Sequence, residues 1–296
     1  MRHSGIPRWG FFRTVVAVVA VLCLIIIAVN AGAQSNQNKV ERDVVYGIAG
    51  DNVLLMDIYY PLPIEANRAA VLYIHGGGWY SGDKASDIGR AFIPTLVSRG
   101  YLVAAINYRL APRFCFPAQI GDARNALHFL VAEAGEYGID PQRIGVWGDS
   151  AGGHLASLLG TIDGNTGREP NVRAVINMYG PSDLTAYYQN DNSPHIEHVF
   201  GVTDADSEVI IQASPITHAS PSSPPFLLIH GEDDTVVSYE QSQAFYNSLD
   251  SMRVNVELIK VLNCEHCFKP TGNTIYPDRE MIGGMMADFL DKHLTD

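Results

Sequence analysis

Cysteine and positive charge are both scarce in this chain. Four cysteines in 296 residues cannot supply the dense cross-linking that replaces a core in small secreted domains. Lysine and arginine number 20 against 32 acidic residues, for a net charge of −12. Such a chain repels phosphate backbones, so nucleic acid is excluded as an expected partner. Long apolar runs are absent too, with one exception. Arg2, Arg8 and Arg13 precede an uncharged stretch from Val15 to Val29, which leads to Ala31-Gly32-Ala33. The run is shorter than the roughly 20 residues a spanning helix needs. A positive flank, an apolar segment of this length and a small-residue site read together as a signal peptide over residues 1–33, cleaved after Ala33. An uncleaved anchor is the alternative. The expectation is a secreted or periplasmic chain from Gln34 onward, with no stable membrane association after cleavage.

No repeat or low-complexity segment follows. Instead, apolar runs alternate with helical patterns. Val53–Tyr60, Ala70–Ile74, Tyr101–Tyr108, Arg143–Trp147, Ala174–Met178, Pro225–Ile229 and Asn255–Val261 read as strands. Several are continuous rather than alternating, as expected where both faces of a sheet are covered. Residues from Pro117 to Tyr137 repeat as one helix ended by Gly138, and Ile282, Met285, Met286, Phe289 and Leu290 mark a C-terminal helix face. The order predicts an α/β fold with a mostly parallel central sheet and helices on both faces. It forms a single domain over 34–296, with a hairpin of Val44–Ile48 and Val53–Tyr60 at one edge and Asp51-Asn52 in its turn. The polar stretch from Pro181 to Pro215 breaks the rhythm. It reads either as a small cap over the sheet or as a long surface loop with one short helix.

Ligands of open parallel sheets bind beyond the carboxyl ends of the strands, and the chemically loaded segments all fall there. Arg143–Trp147 runs into Gly148-Asp149-Ser150-Ala151-Gly152, and Leu155, Leu158 and Leu159 continue as a helix. A G-x-S-x-G at a strand-to-helix junction lifts the serine hydroxyl clear of the sheet on a strained turn, with glycines where neighbours crowd. Ser150 is therefore the candidate nucleophile. Strand Ala70–Ile74 ends in His75-Gly76-Gly77-Gly78-Trp79, a glycine loop able to turn its amides inward. Gly77 and Gly78 are the candidate oxyanion donors, joined by the Ala151 amide. A phosphate-binding loop fails for want of a following Lys-Ser/Thr. Trp79, directly after the glycines, is the candidate substrate contact.

Ten histidines compete to be the base. His154 lies one helical turn beyond Ser150 and should point away from it, while His75 and His230 open loops that they are expected to brace. His266 follows the last strand, where the chain order serine, acid, histidine requires the base. The acid must lie in His230-Gly231-Glu232-Asp233-Asp234, where position alone leaves three carboxylates open; Glu232 and Asp233 also read as solvated loop charges. Cys264-Glu265-His266-Cys267 looks like half a zinc site, but no second pair follows and a structural site needs four ligands. No metal and no organic cofactor are expected.

From about residue 42 onward the chain resembles α/β-hydrolase esterases of the hormone-sensitive-lipase-like type, nearest the bacterial branch of acetylxylan and feruloyl esterases. The stretches that carry the resemblance are "HGGGW" at 75, "NYRLAP" at 107, "FPAQIGDARNALHFL" at 116, "GIDPQRIGVWGDSAGGHLA" at 138, "SPITHAS" at 214 and "HGEDDTVV" at 230. The resemblance selects Asp234 as the acid and His266 as the base. It implies a serine esterase, which the leader marks for export, acting through an acyl-serine on short or aromatic acyl esters, with a small-molecule or oligosaccharide ester as substrate. A peptidase or amidase on the same triad and a non-catalytic binding protein are the alternatives. Two departures stand out. Cys264, Glu265 and Cys267 surround the histidine where the family usually has small residues. The stretch from Gln34 to His75 has room only for edge strands, not for the N-terminal cap of lipid-handling relatives, which implies an open cleft. A disulfide is a further expectation, either Cys264 with Cys267 or Cys115 with one of them.

Overall fold

The computed structural model describes residues 39–62, 66–163, 172–190, 194–204 and 206–295. The expected signal peptide and its expected cleavage point lie outside these residues. Eight strands form one sheet: β1 (Val40–Ala49), β2 (Asn52–Tyr59), β3 (Ala70–Ile74), β4 (Leu102–Ile106), β5 (Ile144–Asp149), β6 (Ala174–Met178), β7 (Phe226–Gly231) and β8 (Val256–Val261). Their spatial order is β1-β2-β4-β3-β5-β6-β7-β8. β2 runs antiparallel to both β1 and β4, and every later pairing is parallel. This is the α/β-hydrolase architecture with its antiparallel hairpin at one edge. The hairpin turn is Gly50-Asp51 rather than Asp51-Asn52, because Gly50 supplies the positive φ (61°) that a two-residue connection needs and Asn52 already pairs with Ala49.

Among the described residues, five longer helices cover the sheet. They are α1 (Asp87–Ser98), α2 (Ala118–Ala132), α4 (Ala151–Asp163), α9 (Tyr239–Ser251) and α10 (Arg279–Leu294), with the single turn α3 (Ala134–Tyr137) after α2. Alternate strand residues feed opposite cores. Val71, Tyr73, Trp147 and Ile176 pack with α1 and α10 through Phe92, Leu96, Ile282, Met286 and Leu290. Leu72, Ile74, Val146 and Val175 pack with α2, α4 and α9 through Leu127, Leu130, Leu155, Leu158 and Phe245. The one helix expected from Pro117 to Tyr137 is two pieces. Glu133 (φ −96°, ψ 13°) separates them, and its carbonyl receives the amides of Glu136 and Tyr137 in a tightened turn.

The polar excursion is helical. It comprises α5 (Leu184–Asn190), α6 (Pro194–Phe200), α7 (Glu208–Ala213) and α8 (Pro215–His218). Leu184, Val199, Phe200, Ile210 and Ala213 are buried and join the core beneath. Scattered apolar residues in a polar stretch are thus enough to dock it.

Helix α1, after β3, and helix α4, after β5, lie on opposite faces of the sheet. β3 and β5 are neighbours, so their outgoing connections part and leave a crevice between their carboxyl ends. The glycine loop and Ser150 both fall there.

Candidate active site

Ser150 follows β5 directly and sits at φ 53°, in the left-handed region that non-glycine residues rarely adopt. Its amide donates to the Met178 carbonyl at 2.8 Å, fastening the turn to the end of β6. The flanking glycines are sterically required. A methyl group on Gly152 would overlap the Ile74 carbonyl, and one on Gly148 would overlap the backbone of Gly152.

The glycine loop is fixed from several sides. Gly77 and Gly78 adopt φ of 116° and 61°. The Gly77 carbonyl accepts the amides of Tyr80 and Ser81 and the Ser81 hydroxyl. His75 donates from Nδ1 to the Gly76 carbonyl at 2.6 Å and stacks on Tyr108, whose hydroxyl donates to the His75 carbonyl. Asp149 accepts the Gly76 amide at 3.1 Å and the Tyr73 hydroxyl at 2.7 Å. Burial pushes the Asp149 carboxyl up to about 6, against the pull of these two donors.

The third and fourth contributions come from loops after β7 and β8. Asp234 accepts the amides of Val236 and Val237 on Oδ1, both at 2.9 Å. Its Oδ2 accepts His266 Nδ1 at 2.7 Å. Burial raises this carboxyl, but hydrogen bonds from His230 and His266 outweigh it and hold Asp234 well below the usual carboxylate range. With Nδ1–H donating to Asp234, His266 turns the lone pair of Nε2 toward Ser150 Oγ, 2.9 Å away. The edge of Tyr179 packs against the imidazole at 4.8 Å between ring centroids. Beyond it, Cys267 and Phe268 adopt φ of 59° and 54°, and a two-residue ladder of β9 (Cys264–Glu265) with β10 (Lys269–Pro270) closes the loop.

The BD-FAE family profile matches residues 56–249. The chain belongs to the BD-FAE family. Esterase LipC of Mycobacterium tuberculosis is 31% identical over 242 residues, which is 77% of this chain and 59% of LipC. The chain spans between 51% and 61% of the length of the curated relatives it matches first. Among solved structures, a truncated carbohydrate esterase from gut microbiota superposes with a TM-score of 0.74 at 27% identity, covering 87% of this chain and 97% of that one. A bifunctional GH43-CE protein of Bacteroides eggerthii gives a TM-score of 0.72 at 31% identity, covering 86% of this chain and 38% of that one.

In this BD-FAE chain the crevice is a pocket of about 300 Å³, walled by Gly77, Gly78, Ser150, Ala151 and His266 on the reacting side. Tyr80, Pro181, Tyr187, Val236 and Cys267 form its other walls. The excursion therefore builds part of the pocket through Pro181 and Tyr187. Trp79 belongs to the wall, yet it is only 4% exposed and its indole N–H donates to His154 Nδ1. That geometry makes it a brace more than a surface for substrate. His154 does point away from Ser150, toward Trp79 and the Ala213 carbonyl. His230 braces its loop through the Val237 carbonyl and the Ser242 hydroxyl.

Two expectations need correction. Glu232 and Asp233 are exposed but not merely solvated. Glu232 accepts the Asn263 amide and Asp233 accepts the Thr271 hydroxyl, so the acid loop is stitched to the histidine loop. Cys115, Cys264 and Cys267 are all free. Cys264 is buried in the core, whereas Cys267 faces the pocket and Cys115 is exposed beside the His198 carbonyl, so no two sulfurs meet.

Reading the sequence for chemistry missed Asp149, Tyr179 and the Arg109–Asp122 pair. Asp149 was visible as a carboxylate inside the serine turn, and Arg109 and Asp122 stand in the stretches at 107 and 116. Tyr179 carries no sequence signal, because only the stacking of β6 beside β7 brings it under His266.

Proposed function

We propose that this protein is a serine carboxylic-ester hydrolase. The observation that carries the reading is the unbroken line from Asp234 through His266 to Ser150, with links of 2.7 and 2.9 Å, in a pocket lined by Gly77, Gly78 and Ala151. Ser150 Oγ attacks the ester carbonyl as His266 Nε2 takes the hydroxyl proton, and the carbonyl electrons move onto an oxyanion. The amides of Gly77, Gly78 and Ala151 receive that oxyanion. Collapse breaks the bond to the alcohol, which leaves with the proton from His266 and creates an acyl-serine. Water then attacks along the same path and releases the carboxylic acid and free Ser150. Asp234 holds the tautomer and stabilises the imidazolium.

A pocket of about 300 Å³ lies at the small end of ligand sites and suits short or aromatic acyl groups. Acetylated or feruloylated carbohydrate is the proposed substrate class, supported by the carbohydrate esterases among the structural relatives. Export through residues 1–33 belongs to the same reading; N-terminal sequencing of protein recovered outside the cytoplasm should begin at Gln34, and retention of residues 1–33 would refute cleavage.

The decisive experiment is labelling with a fluorophosphonate probe, with Ser150→Ala as control, followed by turnover of short esters and of aminoacyl amides. Labelling of the wild type alone, with ester turnover and no amide turnover, is the expected result. An unlabelled wild type would overturn the proposal in favour of a binding protein, and amide turnover would replace it with a peptidase.

A further inference from the structure

Trp79 immediately follows the two proposed oxyanion glycines and is itself at φ 65°. A non-glycine residue persists in this region only where its surroundings over-determine it. The surroundings here are His154 and Phe200, both edge-on to the indole at 5.3 and 5.5 Å, and the hydrogen bond from Trp79 Nε1 to His154 Nδ1 at 3.1 Å. His154 is wholly buried in α4, and its amide bonds the Ser150 carbonyl at 3.0 Å. On the far side of the ring, Nε2 lies 2.7 Å from the carbonyl of Ala213, the last residue of α7. A carbonyl only accepts, so Nε2 must carry the proton and Nδ1 must present its lone pair, which is what an indole donor requires. Burial lowers the His154 pKa to about 4, so the ring keeps this neutral form at neutral pH. The carbonyl it satisfies is one of those a helix end leaves without an internal partner.

We propose that Trp79 and His154 are positioning residues that hold the Gly77 and Gly78 amides in register with Ser150. The chain of bonds joins the glycine loop to the helix that Ser150 begins, and joins that helix to the segment whose Pro181 and Tyr187 wall the pocket. Neither side chain contacts the reacting atoms. Their effect falls on where the amides stand when negative charge develops on the substrate oxygen, and displacements near 1 Å there cost about 100-fold in rate. This inference rests on the esterase reading above.

The two ring nitrogens can be tested separately. An asparagine side-chain oxygen falls close to the position of Nδ1, whereas a glutamine amide nitrogen reaches the position of Nε2. His154→Asn therefore keeps the acceptor for Trp79, and His154→Gln keeps only the donor to Ala213. Trp79→Phe keeps the ring and removes the donor. The expected result on a short ester is a kcat reduced about 10- to 100-fold in Trp79→Phe and in His154→Gln, with KM within about twofold. His154→Asn should stay within about threefold of wild type in kcat even if its Tm falls. The Trp79→Phe/His154→Gln double variant should be no slower than either single variant, because both break one link. Affinity for phenylboronic acid, which bonds to Ser150 and places an oxygen among the amides, should fall by the same factor as kcat.

Equal losses in His154→Asn and His154→Gln, or a wild-type kcat in Trp79→Phe, would overturn the proposal. Absence of ester turnover in the wild type would refute the esterase reading instead. Boronic acid affinity would then still decide the pair, since the adduct needs Ser150, His266 to take the hydroxyl proton, and the amides, but no ester turnover.

Discussion

Tyr73 donates its hydroxyl proton to Asp149 at 2.7 Å, both side chains being buried beneath the glycine loop. The carboxylate that braces this loop is thereby held away from water, with its pKa raised by burial to about 6 from an ordinary 3.8. Between pH 4 and 6 the unfolded chain ionises at Asp149 before the folded chain does. Folding stability contributed by this group is therefore greatest below pH 4, falls as pH rises through 6, and is level thereafter. Two pKa units correspond to roughly 3 kcal/mol. Asp149→Asn should gain stability relative to wild type by up to that amount between pH 4 and 7. Urea unfolding of both proteins at the two pH values measures it, and a constant difference would rule the raised pKa out.

The three acidic residues after β7 should behave very differently. Asp234→Asn removes the acceptor that fixes the His266 tautomer, and kcat on a short ester should drop by about 10⁴-fold with KM little changed. Glu232→Gln and Asp233→Asn weaken only the stitching to the histidine loop, and each should cost less than about tenfold. Steady-state kinetics on the three variants gives the ranking. A larger loss at Asp233 than at Asp234 would reverse the assignment.

Arg109 and Asp122 pair through both guanidinium and amide hydrogens, at 2.7 to 3.1 Å, with Asp122 wholly buried. Removing the carboxylate charge leaves the guanidinium with a neutral partner in a half-buried place. Asp122→Asn should lower unfolding free energy by about 3 kcal/mol or more, measured by denaturant titration. The kcat below the transition should stay near wild type, since neither residue lines the pocket. A variant as stable as wild type would show the pair to be dispensable.

Thiol reactivity should follow burial. Cys115 is exposed, whereas burial raises the Cys267 thiol to about 11 and the Cys264 thiol to about 12. In native protein, Ellman's reagent should modify Cys115 rapidly, and Cys264 only after unfolding. Non-reducing peptide mapping should find Cys115, Cys264 and Cys267 unbridged. Recovery of a Cys264–Cys267 peptide pair would restore the expected ring.

What the sequence determined by itself is whatever depends on neighbours along the chain. Apolar runs marked seven of the eight principal strands within about two residues, and those of β3 to β7 are continuous because a strand covered on both faces has no polar side to show. The apolar stretch of the eighth marked the hairpin. The glycines around Ser150 and after β3 were legible because backbone crowding is local and admits no side chain there. Chain order, together with the resemblance, put Asp234 and His266 forward. The rest needed the tertiary structure. Whether Glu232, Asp233 or Asp234 faces His266 is a matter of side-chain direction on one turn, and three adjacent carboxylates look alike in sequence. The cysteine pairing went astray for the same reason, since a spacing of three residues says nothing about one sulfur pointing into the core and another into the pocket. Trp79 reads as a substrate contact beside the glycines. Only the packing of α4 and α6 against its loop, through His154 and Phe200, turned the indole inward, because a buried N–H must find an acceptor and His154 offers one.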